Sequence, residues 1–263
     1  VDASPFLAET RFLLRLAHGL HASGFPAHRL EATLADAAHR LKVPAQFFST
    51  PTSIFAAFGS AEAQRTHLLR VEPASTDLGR LARLDRIARD VMAGRVEVAE
   101  GVDRIDAVLA APARWSRGAS LAAYVCVSLA VATFLGVRTA DLLIAAALGL
   151  VTGALTLWTA ARPAWSDVAE PLTAFAVATA AMVAGAATQA PPGYQLIIAG
   201  LVVLLPGMQF TTGVIELSTR HLSSGTARLS GALVTFLGLG FGVALGVQAG
   251  AFLVGLAGPG GVL

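Results

Sequence analysis

Gln209, Thr212 and Glu216 stand at i, i+3 and i+7, so they share one face of a helix inside an otherwise apolar run. Thr211 adds a second hydroxyl. Arg220 follows Glu216 at i+4, in the acidic-then-basic order that favours an ion pair along a helix. Just upstream lies Pro206-Gly207, which interrupts the helical pattern. A helix restarting near Met208 would offer unsatisfied N–H groups and the positive end of its dipole. That end suits a carboxylate, and the threonine hydroxyls suit the polar remainder of a small solute.

The position of the break gives this set its meaning. Pro206 comes about 12 residues after Tyr194, roughly 18 Å along a helix. That is near the middle of a hydrocarbon core roughly 30 Å thick. Backbone groups freed there must be satisfied by protein or by a water-filled cavity. Broken helices at the midplane are how many secondary transporters build a substrate site. The expectation is therefore a membrane transporter, or half of one. Glu216 lies about 15 Å beyond Pro206, nearer the cytoplasmic interface than the midplane. Two readings of it stand: a juxtamembrane charge paired with Arg220, or a cytoplasmic gate or proton-coupling group. Asp141, Asp167 and Glu170 read as loop or helix-cap charges.

Composition divides the chain near Arg117. After Gly118 the charged residues are Arg138, Asp141, Arg162, Asp167, Glu170, Glu216, Arg220 and Arg228 alone. Residues 1–117 read as a small cytoplasmic α+β domain, and 118–263 as a transmembrane domain. The net charge of +2 says little about partners, and no basic tract interleaved with aromatics points to nucleic acid. Lys42 is the only lysine, a bias of GC-rich bacterial genomes. Cys126 is the only cysteine, so no internal disulfide is expected. The start carries no signal-peptide pattern and no Met, and the chain is read as a piece of something longer.

In the first part, Leu13, Leu16, Ala17 and Leu20 form a helical stripe between Ser4-Pro5 and Gly24. Pro26 opens a second helix with Leu30, Leu34, Ala38 and Leu41. Gln46 to Gly59 reads as two short strands around Thr50-Pro51-Thr52-Ser53, and Thr66 to Val71 as a third, ended by Glu72-Pro73. Asp77 caps a helix through Leu81, Leu84, Ala88 and Val91. A last helix carries Val98, Val102, Ile105 and Leu109. His18 and His21 have metal-ligand spacing, with His28 and His39 following, but lack a Cys or close third ligand and read as packing. Ser49, Thr50, Thr52 and Ser53 read as turn chemistry, since no nucleophile motif accompanies them. Arg80, Arg83, Arg86 and Arg89 beside Asp85 and Asp90 read as a solvated face.

Five spans are expected: 119–136, 140–161, 171–189, 194–217 and 227–256. With the first domain in the cytoplasm, Arg114, Arg117, Arg162, Arg220 and Arg228 fall inside and only Arg138 outside. Gly231, Gly238, Gly242, Gly246 and Gly250 line the last span at small-residue spacing. They read as tight packing within the bundle, with a homo-oligomer seam as the alternative.

The chain resembles the threonine/serine exporter family, whose split bacterial relatives include dicarboxylate (succinate) exporters. The resemblance rests on Leu20 to Glu31 (LHASGFPAHRLE), Gln46 to Gly59 (QFFSTPTSIFAAFG), Leu69 to Leu81 (LRVEPASTDLGRL) and Leu205 to Leu229 (LPGMQFTTGVIELSTRHLSSGTARL). It implies export of small hydrophilic amino acids or small acids across a bacterial inner membrane, driven by the proton-motive force. Pro206, Gly207, Thr211, Gly225 and Arg228 match the family pattern. Glu216 stands where an Asp is expected, and Thr212 where an Asn is common. The resemblance also implies a second transmembrane half, fused or separate, so that this chain alone does not transport.

The expectation is thus a mainly α membrane protein, a transporter rather than an enzyme, needing no cofactor and no metal. Its partners are a small-molecule substrate, the lipid bilayer and the second half. Pro206, Gly207, Gln209, Thr211 and Thr212 are the candidate substrate contacts. Glu216, Arg220 and Arg228 are the candidate coupling or gate residues. A membrane-anchored hydrolase and a non-transporting regulatory subunit are the alternatives, and a dicarboxylate such as succinate the alternative solute.

Overall fold

A computed structural model describes residues 7–60, 62–72, 76–112, 115–187 and 194–257. Ser4, Pro5, Pro73, Arg114 and Gln189, used in the sequence reading, lie outside the described residues. The chain forms two compact units, one of residues 1–112 with 208–230 and the other of 113–207 with 231–263. Residues 208–230, apolar enough to be drawn into a span, cluster with the N-terminal residues.

The first unit opens with α1 (Leu7–Ala22) and α2 (Ala27–Arg40). An antiparallel sheet follows in the order β1 (Ala45–Ser49), β2 (Ser53–Phe58) and β3 (Arg65–Arg70), then α3 (Leu78–Met92) and α4 (Val98–Ala110). The expected stripes are the buried ones: Leu13, Leu16 and Leu20 of α1, Leu30 and Leu34 of α2, Leu84 of α3 and Ile105 of α4 meet Ile54 of β2 in one core. Burying each such side chain is worth about 1.5–3 kcal/mol. Asp77 caps α3 by accepting the Arg80 N–H at 2.8 Å. On the arginine-rich face of α3, Arg83, Arg86 and Arg89 are exposed and Arg80 is half-buried, with Arg89 paired to Asp85 at 2.8 Å. α2 differs from α3 at its start. Its N-cap is Pro26, which makes no side-chain cap bond, so the first-turn N–H groups need partners from elsewhere.

The second unit contains α5 (Arg117–Phe134), α6 (Leu142–Ala160), α7 (Ala169–Ala187), α8 (Tyr194–Leu201) and α10 from Gly231 onward. α10 as a whole runs Leu222–Ala257, and α9 (Gly207–Ser218) precedes it. Four segments are long and apolar enough to cross a membrane: Arg117–Phe134, Thr139–Ala160, Ala164–Ala187 and Leu222–Leu256. A fifth is broken. Tyr194–Leu204 and Gly207–Ser218 qualify together but bend by 58° at the interruption. The bend falls at Pro206, where the residue types place it. The chain is a multi-pass, mostly helical membrane protein.

Two backbone groups on the α8 side of the break find partners in the protein. The Thr152 hydroxyl of α6 donates to the Gly200 carbonyl at 2.8 Å, and the Leu205 N–H reaches the Val202 carbonyl at 3.2 Å. Both bonds lessen the cost of backbone polar groups left bare in lipid. At the α6–α7 turn, Trp158 and Trp165 lie 5.5 Å apart with Arg162 over Trp158 at 4.3 Å, an arrangement typical of a membrane interface.

The glycine spacing on α10 is used inside this unit. A Cβ on Gly246 would come within 2.5 Å of the Phe175 carbonyl oxygen on α7, and one on Gly250 within 2.5 Å of Met182. The Gly246 carbonyl also accepts the Thr179 hydroxyl at 3.1 Å. Gly240 faces open space. Gly246→Val is therefore expected to lower the unfolding free energy of the purified chain by about 1–3 kcal/mol. Gly240→Val is expected to change it by less than about 0.5 kcal/mol. Denaturant titration in detergent checks both.

Candidate functional site

α9 starts immediately after Pro206 and carries the polar stripe. Gln209 and Thr211 are exposed, Thr212 is half-buried and Glu216 is wholly buried. α9 and α10 pack closely because Gly213 faces Gly225. A Cβ on Gly225 would sit 2.9 Å from the Gly213 carbonyl oxygen.

The turn between the two helices is set by Arg220, whose φ of 66° is left-handed. The His221 N–H reaches back to the Glu216 carbonyl at 2.8 Å, and the Arg220 N–H to that of Leu217 at 3.1 Å. Together these bonds make a Schellman helix end, with an arginine where glycine is usual. This corrects one expectation. Arg220 is not the ionic partner of Glu216, because the helix ends before it and its exposed side chain leaves the α9 face.

The partner is Arg228, one turn and a half into α10. Its Nε donates to both Glu216 carboxylate oxygens, at 3.2 and 3.1 Å. The other ligand of that carboxylate comes from far away in the chain. Glu216 Oε1 accepts the N–H of Ala27 at 2.8 Å. Ala27 is the first residue of α2, the helix whose Pro26 cap has no side-chain acceptor. Glu216 thus serves as a remote cap for α2, adding its charge to the favourable end of the helix dipole. Arg228 Nη2 also reaches the Phe25 carbonyl at 3.4 Å, gripping the same turn. The carboxylate is 0% exposed and Arg228 24% exposed, so the pair keeps one hydrated edge. Removing either partner of such a pair costs about 3–5 kcal/mol, chiefly through the buried charge left behind.

More ties flank this one. His221 Nε2 lies 3.3 Å from Glu31 Oε2, while Glu31 Oε1 accepts the Ser49 N–H at 2.7 Å. The Ser224 hydroxyl donates to the Ser49 carbonyl at 3.4 Å. The rings of His28 and His221 stand 6.0 Å apart. His21 is buried, and its Nε2 lies 3.0 Å from the Thr50 carbonyl, so that nitrogen carries the hydrogen. Burial pushes the His21 imidazole below its ordinary pKa. The bond to Thr50 and, more weakly, the ring's own backbone oppose this, and the charges of Arg228 and His18 add to it. Burial also lowers His28, against the attraction of Glu216 and with the repulsion of His221 and Arg29.

Among the described residues, no group of three His, Cys, Asp or Glu could hold a metal ion. The Ser/Thr cluster closes a turn: Thr50 Oγ1 lies 2.7 Å from Ser53 Oγ and accepts the Ser53 N–H at 3.1 Å. His21 is engaged by a carbonyl rather than by any of these hydroxyls. Sequence reasoning missed Ala27, Glu31 and His221 as partners at this site, and Thr152 at the break. The available signal was Pro26, which opens a helix and leaves it without a side-chain cap.

Comparison with known proteins gives the same family as the motifs. Residues 11–250 match the ThrE family, described as "Putative threonine/serine exporter". An uncharacterized protein of Schizosaccharomyces pombe is 26% identical over 94% of this chain and 33% of its own length. The pheromone-regulated membrane protein 10 of Candida albicans is 29% identical over 94% of this chain and 23% of its length. That of Debaryomyces hansenii is 28% identical over 94% and 25%. The chain therefore spans a third or less of the length of these curated relatives. No solved structure matches. The chain belongs to the ThrE family of threonine/serine exporters.

Proposed function

We propose that the chain is one half of a secondary exporter of small hydrophilic amino acids such as threonine and serine, coupled to the proton-motive force. It works in a bacterial inner membrane with the N-terminal residues in the cytoplasm, and a second transmembrane half, fused or separate, completes the path. The observation that carries this reading is the apolar span broken at Pro206 and followed by hydroxyl and amide side chains. Family membership supports the exporter class.

The chemistry follows from the groups along α9. Its first N–H groups after Pro206-Gly207 suit the carboxylate of an amino acid. Thr211, Thr212 and Gln209 suit its hydroxyl and ammonium groups through donor and acceptor atoms of either sense. Glu216 acts two turns on. While bound to Ala27 and Arg228 it holds the α9–α10 elbow to the start of α2. Release of that carboxylate is the gating step, and Arg228 then presents a free cation on the cytoplasmic side. A dicarboxylate such as succinate would use the same groups.

The test is efflux of labelled threonine, serine and succinate from cells carrying the chain with its second half, with and without a proton uncoupler. One solute is expected to leave in an uncoupler-sensitive way, and Glu216→Gln is expected to slow it by about tenfold or more. Efflux unchanged by Glu216→Gln and by Thr212→Ala would instead make the chain a non-transporting regulatory subunit. The 263-residue chain alone, reconstituted in vesicles, is expected to give no flux above protein-free vesicles. Robust flux from it would contradict the half-transporter reading.

A further inference from the structure

We propose that His21 and His28 form a proton-binding latch, which holds the α9–α10 elbow while both rings are neutral and frees it when they take up protons. Nδ1 of His18, of His21 and of His28 is buried with no hydrogen-bond partner. A neutral imidazole tolerates this, since one ring nitrogen then carries only a lone pair. A protonated imidazole does not, because both nitrogens become donors and a buried N–H is left without an acceptor. His21 is fixed in that state: its Nε2–H is spent on the Thr50 carbonyl, so a second proton must go to the orphan Nδ1.

The groups around the two rings decide what protonation does. From α1, His18 adds its charge against His21, and from α10 so does Arg228. From α2, Arg29 faces His28 and Glu31 faces His221. From α9 comes Glu216, and from the start of α10 come His221 and Arg228. With both rings neutral, Glu216 and Arg228 balance one another, and the carboxylate keeps its bond to Ala27. A proton on His21 places a second cation against Arg228. A proton on His28 makes that ring a competitor of Arg228 and of the Ala27 N–H for the one Glu216 carboxylate. Both changes weaken the clasp that ties α9 and α10 to the α1–α2 turn. His221 differs in having a carboxylate neighbour, its Nε2 lying 3.3 Å from Glu31 Oε2.

The sign follows from the direction of both shifts. A histidine held below its ordinary value of 6.5 stabilises the fold fully above that pH. Its contribution is lost as pH falls from 6.5 through the lowered value. The latch is therefore closed in a neutral cytoplasm and opens on acidification. This inference does not depend on which solute is carried, and it is tested without transport.

The purified chain in lipid nanodiscs is compared at about pH 7.5 and about pH 5.5 by amide hydrogen exchange, corrected for the intrinsic rate. The α9 amides and that of Ala27 are expected to exchange about tenfold faster at the lower pH, relative to the α1 core. The double variant His21→Gln, His28→Gln keeps a donor for Thr50 and cannot be charged. It is expected to lose this acceleration. Equal acceleration in the variant, or none in the wild type, overturns the latch. If the double variant fails to fold, His28→Gln alone and ring-labelled histidine NMR decide. Rings of His21 and His28 that stay neutral down to about pH 5 also overturn it.

Discussion

A carboxylate with no access to water must be surrounded by donors, and the arrangement of residues 208–230 follows from meeting that need for Glu216. Two of its requirements are met by Arg228 and one by the Ala27 N–H. The last comes from the first turn of α2, whose cap Pro26 offers no side-chain acceptor. Helix α2 lacks an anion and α9 carries one. Each resolves the other's deficit, and the α9–α10 elbow is thereby joined to the N-terminal helices. The close crossing at Gly213 and Gly225 and the left-handed turn at Arg220 bring Arg228 back over Glu216. Small residues here permit backbone approach, and the approach permits the ion pair.

The same reasoning reaches the break in the neighbouring span. A proline-glycine pair in an apolar helix forces carbonyls out of the helical ladder, and lipid supplies no donor. Thr152 supplies one to Gly200 while also bonding the Leu148 carbonyl of its own helix at 3.0 Å. A hydroxyl between two carbonyls on different helices costs little in an apolar bundle and fixes α8 against α6. The polar residues of this chain's apolar half thus divide by task. Thr152 satisfies bent backbone, while Thr179 and Ser128 tie helices together.

What the sequence made legible was local. The stripes of α1 to α4, the three strands, the Asp77 cap and the interruption at Pro206 each follow from a few adjacent residues whose physics has one outcome. The failure at Arg220 has the same origin. Helical spacing pairs it with Glu216 only if the helix continues, and the chain instead turns left-handed there. The true partner is 12 residues on, across a hairpin, and the backbone partner is 189 residues away. Neither separation leaves a periodic trace. Composition also drew Met208–Ser230 into the apolar half, whereas it clusters with the N-terminal residues.

Glu216 and Arg228 act as one unit in holding this region together. A double-mutant cycle measures that directly, using unfolding free energies of the wild-type chain, Glu216→Gln, Arg228→Met and the double variant in the same detergent. The account predicts single costs of about 3–5 kcal/mol. It also predicts a double cost at least about 2 kcal/mol below their sum, because the second substitution removes a charge already left without its partner. Costs that add to within about 0.5 kcal/mol would mean the two residues act independently, and would contradict the account.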